Sequence, residues 1–97
     1  MENNIYISTL YDYYGELLTD KQKNYFESYY FDNLSLQEIA ENEDVSRNAV
    51  HKTLTAIVDK LEYYEDKLHL YENREKIIKL LNKIEDKKIK ESINELI

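Results

Sequence analysis

The chain contains a single glycine, Gly15, and no proline in 97 residues. Tight β-hairpin turns depend heavily on glycine, so such a chain has few positions where paired strands could reverse direction. Cysteine is also absent, which excludes disulfides and thiolate metal sites and is typical of a protein in a reducing cytosol. The length suits one domain over residues 1–97. The sequence therefore predicts an all-α fold in a single domain.

The front of the chain is predicted to form two helices. The first runs from about Asn4 to Leu18, and its inward face is made of Ile7, Leu10, Tyr14 and Leu17. Thr19 then caps the second helix, and Gln22, three residues later, completes a capping box. The second helix is predicted to continue to about Tyr30, and the residues expected to face inward are Phe26, Tyr29 and Tyr30.

Residues 34–54, LSLQEIAENEDVSRNAVHKTL, predict a helix-turn-helix. Ser35 and Glu38 form a second capping box at the start of the third helix, and Ser46 caps the fourth. Ala40 supplies the small residue that the crossing of the two helices requires. The residues predicted on the buried side are Val45, Ala49, Val50 and Leu54. In this motif the second helix places its N-terminal turn against the base edges of DNA.

The outward side of the fourth helix supplies the candidate nucleic-acid-binding residues, which are Arg47, Asn48, His51, Lys52 and Thr55. Arginine and lysine suit phosphates or guanine edges, and asparagine suits adenine. The alternative interpretation is that these residues form only the solvated side of an ordinary helix. Two observations support that alternative: only two of them carry a fixed positive charge, and Glu41, Glu43 and Asp44 beside them would repel phosphates.

The fourth helix also carries the longest periodic pattern in the chain. Its apolar heptad positions are Val50, Leu54, Ile57, Leu61, Tyr64, Leu68 and Tyr71. This seam fits either packing within the chain or a coiled coil with a second copy. A break is expected near Leu68–Leu70, although no glycine or proline enforces one, and a continuous helix is the alternative. The helix-turn-helix core is thus predicted at about residues 5–66.

A helical C-terminal extension is predicted at about residues 67–97. Its apolar residues recur at helical spacing on either side of the charged segment EDKK, and they are Ile77, Leu81, Ile84, Ile89, Ile93 and Leu96. Charges of both signs alternate along the extension, which usually indicates a solvated outer face.

The chain is acidic, with 13 lysines and arginines against 20 aspartates and glutamates and a net charge of −7. Seven of the acids and only two of the bases lie in the first forty residues. A field of this sign slows the approach of a polyanion and attracts a basic protein. The charge therefore motivates a second interpretation, in which the chain is an acidic protein-binding adaptor that keeps the helix-turn-helix fold without binding DNA.

The sequence gives no indication of an enzyme, a cofactor or a metal. His51 and His69 lie eighteen residues apart without a partnering cysteine or a second histidine four residues on, so each is interpreted as a lone surface histidine. One glycine provides no phosphate-cradling loop. The N-terminal residues lack the pattern of a signal peptide, and no apolar stretch approaches the roughly 20 residues that span a bilayer. A cytoplasmic protein with no membrane partner is expected.

Four segments, LLTDKQ, LSLQEIA, VSRNAV and YEDKLHLY, together resemble the YlxM family of small bacterial proteins. That family is similar to the region-four promoter-recognition domains of sigma factors, and the resemblance covers about residues 9–75. It implies a sigma-like helix-turn-helix bundle with a long fourth helix and a helical extension, often as a homodimer. Genes of the family are typically paired with those of the signal recognition particle. The resemblance therefore implies a regulatory or accessory role in that pathway, with a protein of the pathway as a partner.

The nucleic-acid face implied by the resemblance falls on Ser46, Arg47, Asn48, His51 and Lys52, with duplex DNA or signal recognition particle RNA as the ligand. The turn departs from the family pattern at two positions. Glu43 stands where an apolar residue is usual, and Asp44 stands where glycine or asparagine is frequent.

Overall fold

The computed structural model describes residues 4–97, which form six α-helices and no β-strand, so the predicted all-α fold is confirmed. The helices are α1 (Asn4–Tyr14), α2 (Asp20–Tyr30), α3 (Leu36–Glu43), α4 (Arg47–Leu68), α5 (Leu70–Leu81) and α6 (Lys87–Asn94), with a short 3₁₀ helix (Gly15–Leu17) after α1. Within residues 4–97, no helix is both long and apolar enough to span a membrane.

Both predicted capping boxes are confirmed. The Thr19 hydroxyl accepts the Gln22 N–H at 3.1 Å, and the Gln22 side chain accepts the Thr19 N–H at 2.9 Å. At the start of α3, the same two bonds join Ser35 and Glu38, each at 3.0 Å. Each cap satisfies backbone donors that a helix start leaves without partners, and each is worth about 1 kcal/mol. The first residues of α2 and α3 are therefore fixed by local sequence.

The core is built around α4, which packs against α1, α2 and α3. Its first four heptad residues are at most 1% exposed, and they are Val50, Leu54, Ile57 and Leu61. They contact buried apolar residues of the other three helices, including Leu10, Phe26 and Ile39. This stretch of the seam is therefore covered within the chain, as one of the two interpretations of the heptad pattern expected.

The predicted inward face of the first helix is wrong at its last position. Leu17 is 52% exposed, whereas Leu18 is buried. The α-helix ends at Tyr14, and the tighter 3₁₀ winding that follows moves each later side chain further around the axis. Gly15 lets the ring of Tyr11 approach closely here, because a β-carbon at position 15 would lie 3.1 Å from that ring.

The inward face of α2 is wider than predicted. Phe26 is fully buried as expected, and Tyr29 and Tyr30 are half-buried against the same core. Tyr25, which the periodicity did not single out, is 4% exposed. Its position next to Phe26 broadens the apolar stripe, since four residues at positions 25, 26, 29 and 30 share one side of the helix.

The predicted break after the fourth helix is confirmed, and the continuous alternative is wrong. His69 adopts a left-handed backbone conformation with φ 57°, and it separates α4 from α5. The heptad seam is less buried in the last turns of α4 before this break. Leu68 is 50% exposed, and Tyr64 is half-buried.

The start of α5 is held by side chains of α1 and α4. The buried carboxylate of Glu65 accepts the N–H groups of Tyr71 and Glu72, both at 3.0 Å. The hydroxyl of Tyr14 accepts the N–H of Leu70 at 3.1 Å. These bonds supply three of the four partners that a helix start needs, and the carboxylate also suits the positive end of the helix dipole. The network fixes where α5 leaves the core.

Helices α5 and α6, which we call the arm, pack on each other and extend beyond the core, which α5 contacts through α1 and α4. Within residues 70–97 the only buried side chain is Leu81, whereas Leu80, Ile89 and Leu96 are more than half exposed. The molecule measures 56 × 25 × 23 Å with a radius of gyration of 17.1 Å. A compact domain of this length has a radius near 13 Å. The excess reflects the projecting arm.

Candidate nucleic-acid interface

The turn between α3 and α4 is closed by backbone hydrogen bonds around Asp44. Asp44 adopts the left-handed conformation with φ 54°, ψ 48°. The N–H of Val45 donates to the carbonyl of Ala40 at 3.0 Å, and that of Asp44 donates to the carbonyl of Glu41 at 3.4 Å. This pair of bonds is a Schellman motif, the usual way to end a helix at a left-handed residue. The turn therefore redirects the chain into α4 within three residues.

The two departures from the family pattern do not prevent the turn from forming. Asp44 occupies a left-handed position, which aspartate and asparagine tolerate better than other residues with a β-carbon. Its charge is nevertheless unfavourable there, because the end of α3 carries the negative pole of the helix dipole. Glu43 is exposed, and its carboxylate accepts a 3.4 Å bond from the Asn24 amide. Both residues add negative charge beside α4.

The predicted buried side of the motif is wrong at Val45 and holds elsewhere. Val45 is 43% exposed, because it lies between the left-handed residue and the cap of α4, at the rim of the motif. Ala49 is half-buried, and Val50 and Leu54 are fully buried. The second helix thus rests on the core through its own apolar side and not through the turn.

Ser46 caps α4, as predicted. Its hydroxyl oxygen accepts the N–H of Ala49 at 3.1 Å. The oxygen acts as an acceptor in this bond, so the hydroxyl hydrogen can still donate outward, and the side chain is exposed. The first turn of α4 contains no acidic residue. The positive pole of the helix dipole is therefore not neutralised within its own first turn.

The five candidate residues after the cap share one exposed side of α4, and they are Arg47, Asn48, His51, Lys52 and Thr55. Their spacing of one, three and four residues places them along two adjacent rows of the helix surface. In residues 4–97 these side chains form no hydrogen bond or ion pair with another residue. Their polar groups are therefore available to a ligand.

The charge around this face is mixed. Arg47 and Lys52 contribute two positive charges, and Glu41, Glu43 and Asp44 contribute three exposed negative charges at the adjoining end of α3. Such a surface attracts phosphates only locally, at the first turn of α4. Salt weakens exposed charge interactions beyond about 10 Å at moderate ionic strength, so the nearest groups dominate.

The structure also joins three residues that sequence spacing did not connect. The ligand-type atoms of Glu65, His69 and Glu72 lie within 4.8 Å of one another, and His69 Nδ1 is 3.0 Å from a Glu72 oxygen. Each group already has a role. Glu65 accepts backbone N–H groups of α5, and Lys76, 3.0 Å from Glu72, lowers the pKa of that carboxyl ahead of the smaller effect of His69. We assign the cluster to the junction between α4 and α5.

A family model described as "Putative helix-turn-helix protein, YlxM / p13 like" matches residues 1–97. The chain belongs to the YlxM / p13-like family. The resemblance drawn from the four sequence segments is thereby confirmed, and it extends beyond the 9–75 range on which it rested. The family description agrees with the capped α3–α4 pair seen in the structure.

Several curated relatives are similar over most of the chain. A UPF0122 protein of Oceanobacillus iheyensis is 47% identical over 94 residues, covering 93% of this chain and 90% of the relative. One of Caldanaerobacter subterraneus subsp. tengcongensis is 45% identical, with coverages of 84% and 70%. One of Mycoplasma capricolum is 44% identical, with coverages of 94% and 80%. The names of these YlxM / p13-like relatives state no ligand and no reaction.

Proposed function

We propose that the protein is a cytoplasmic nucleic-acid-binding regulator that uses the first two turns of α4. One observation carries the proposal: the second helix of a capped helix-turn-helix presents an exposed side whose polar groups have no partner in residues 4–97. The capped pair of α3 and α4 is the arrangement in which a helix-turn-helix places the start of its second helix against DNA. Membership of a family described as helix-turn-helix supports the same function.

Each candidate residue has a defined chemical role in this proposal. The Ser46 hydroxyl and the free N–H groups at the start of α4 donate to a phosphate. Arg47 and Lys52 contact phosphates or the O6 and N7 acceptors of guanine, and Asn48 matches adenine. His51 and Thr55 lie on the same side of α4 and provide further hydrogen-bonding groups.

The ligand is proposed to be duplex DNA or the RNA of the signal recognition particle. The link to that particle rests on the resemblance to the YlxM family and makes the protein an accessory of its pathway. On a duplex, a homodimer would have to place its two α4 N-termini about 34–36 Å apart to contact consecutive major grooves. The seam from Val50 to Leu61 is filled within the chain, so a dimer would use exposed apolar side chains of the arm, such as Leu80 at 61% exposed, and not its lysines.

The test is a fluorescence-anisotropy titration of random duplex DNA and of signal recognition particle RNA at low and moderate salt. The variant Arg47→Ala/Lys52→Ala should lose affinity, by about 1–3 kcal/mol if Arg47 contacts a base. Lys21→Ala/Lys67→Ala removes the same charge from two exposed lysines outside the α4 face and is the matched control. Unchanged affinity in a folded Arg47→Ala/Lys52→Ala protein would refute the proposal.

A second candidate function is that of an acidic adaptor for a basic protein of the same pathway. The observation that favours it is the exposed acidic surface of the first forty residues, in which Asp12 and Asp32 are exposed and the side chain of Glu16 is 95% exposed. Charge reversal at these three positions should weaken the protein partner, measured with purified components, while Arg47→Ala should not. Equal binding by all variants contradicts this candidate.

A further inference from the structure

Charge is divided unevenly between the two parts of the molecule. Residues 1–75 hold seven bases and sixteen acids, a net charge of −9. Residues 76–90 hold six lysines and only two acids, a net charge of +4. The lysines are Lys76, Lys79, Lys83, Lys87, Lys88 and Lys90. An acidic protein therefore carries one concentrated positive segment, and that segment lies in the arm.

Local structure leaves these lysines available. Lys76 and Lys79 lie on α5, Lys83 follows in the turn, and the other three occupy the first turn of α6. Lys76 pairs with Glu72 at 3.0 Å, whereas the remaining five form no ion pair within residues 4–97. The nearby carboxylate of Asp86 accepts the N–H groups that begin α6, at 3.0 and 3.1 Å, so it is engaged as a cap.

The positive segment follows the end of α4 that lies opposite the α4 face. α4 runs from Arg47 to Leu68, which corresponds to about 32 Å at 1.5 Å per residue. The arm starts immediately after it, and the longest dimension of the molecule is 56 Å. One turn of duplex DNA is about 34–36 Å. The arm therefore begins about one turn of duplex DNA away from the start of α4.

We propose that the lysines of the arm form a second phosphate-binding surface, which holds the backbone of the same nucleic acid whose bases contact α4. The inference rests on the proposed function and adds that the two surfaces have different roles in binding. Phosphate contacts supply affinity and orientation without sequence preference, and base contacts supply the preference. The α4 face, with two positive and three negative charges, is poorly suited to supply affinity alone.

A second copy of the chain is the competing occupant, since its acidic residues could attract the same lysines. Nucleic acid is favoured because the six positive charges are packed into fifteen residues, whereas the sixteen acids of residues 1–75 are spread over seventy-five residues. A duplex carries one phosphate charge per about 1.7 Å of its axis, a density that matches a compact lysine cluster better than dispersed carboxylates do.

The test uses Lys79→Gln/Lys83→Gln/Lys87→Gln in the full chain. The control, Lys21→Gln/Lys23→Gln/Lys67→Gln, gives the same net charge by changing lysines outside the arm. Both are titrated against random-sequence duplex DNA and duplex RNA of about 20 base pairs, roughly two turns, over a range of salt. On DNA, the slope of log affinity against log salt should fall by about 2.7 for three lost phosphate contacts. The control should keep the wild-type slope.

The outcomes separate this inference from the proposed function. Loss of binding in Arg47→Ala/Lys52→Ala, together with an unchanged slope in the arm variant, overturns the arm surface and keeps the α4 face. A reduced slope in the arm variant, with weaker binding to every sequence, supports the arm surface. No binding of the wild type to either probe at low salt overturns both. Sedimentation showing that the arm substitutions dissociate a dimer, without changing the slope, assigns the lysines to a second copy.

Discussion

The carboxylate of Glu65 in α4 accepts a 2.6 Å hydrogen bond from the hydroxyl of Tyr14 in α1. Both residues are buried, and both also bond to the first turn of α5. Three helices therefore meet in one hydrogen-bonded cluster. Burial without such partners would make a carboxylate costly, so the cluster is stable only as a whole.

Tyr14→Phe should destabilise the fold by about 1–3 kcal/mol, because it removes one of the three hydrogen bonds of the buried Glu65 carboxylate and the partner of the Leu70 N–H. Tyr30→Phe is the matched control. It also removes a buried hydroxyl, but that hydroxyl has no hydrogen-bond partner within residues 4–97, so the free energy of unfolding should stay the same or rise. Urea denaturation followed by circular dichroism measures both. Equal losses in the two variants would contradict this account of the cluster.

Glu65→Gln should also destabilise the protein, by about 1–3 kcal/mol, since a neutral amide cannot replace a carboxylate that accepts three hydrogen bonds. Part of the loss should appear as lower helix content, because α5 loses its cap. Glu62→Gln removes the same charge from an exposed position on α4 and should change stability by less than about 0.5 kcal/mol. Thermal unfolding of the two variants provides the comparison.

Alkaline pH should unfold the protein in a defined window. Burial, followed by the hydrogen bond to Glu65, raises the pKa of Tyr14 to about 12, and burial raises the pKa of Tyr30 to about 12. In the unfolded chain both hydroxyls titrate near pH 10. Below about pH 10, the contribution of both neutral tyrosines to the free energy of unfolding is therefore complete. As the pH rises to about 12, the free energy of unfolding falls by up to about 1.4 kcal/mol per pH unit for each tyrosine. Urea denaturation midpoints across this pH range measure the loss of stability. Tyr14→Phe should make stability fall less steeply with pH, and an unchanged fall would show that Tyr14 does not contribute to it.

Asp44→Asn should stabilise the turn between α3 and α4 by about 0.3–1 kcal/mol. Asparagine accepts the left-handed conformation equally well, and the substitution removes a negative charge from the negative pole of α3. It should also raise nucleic-acid affinity at low salt by roughly twofold, as expected for one repulsive charge about 10 Å from a phosphate. Asp12→Asn changes net charge equally from α1, and it should leave affinity nearly unchanged. Lower stability of Asp44→Asn would contradict the role given to this residue.

Local sequence signals predicted the parts of the fold that depend on neighbouring residues. The caps at Thr19, Ser35 and Ser46 and the break near His69 are where the sequence placed them. Each is decided by a few adjacent side chains or by one backbone conformation. The α4 heptad pattern marked the residues at the centre of the core, because a helix packed on three neighbours carries an apolar stripe on its packed side, although the pattern alone left a coiled coil open.

The features that depend on tertiary packing were not predictable. Leu17 and Val45 fit the periodic pattern, yet they are exposed because a 3₁₀ turn and a left-handed residue shift the register before them. In the sequence, Glu65 cannot be told from a surface acid, because its hydrogen-bond partner Tyr14 lies 51 residues away in the chain. The candidate α4 residues are exposed as their spacing predicted, and their binding to nucleic acid stays a prediction.

The single buried side chain of the arm has a consequence for how the molecule opens. With α6 burying no residue, little more than its own backbone hydrogen bonds opposes local unfolding, and isolated helices of eight residues are marginal in water. We therefore expect α6 to unfold locally without the core, and its amide protons to exchange with solvent long before those at the centre of α4. Changes in the length or sequence of α6 should therefore have little effect on the stability of the core.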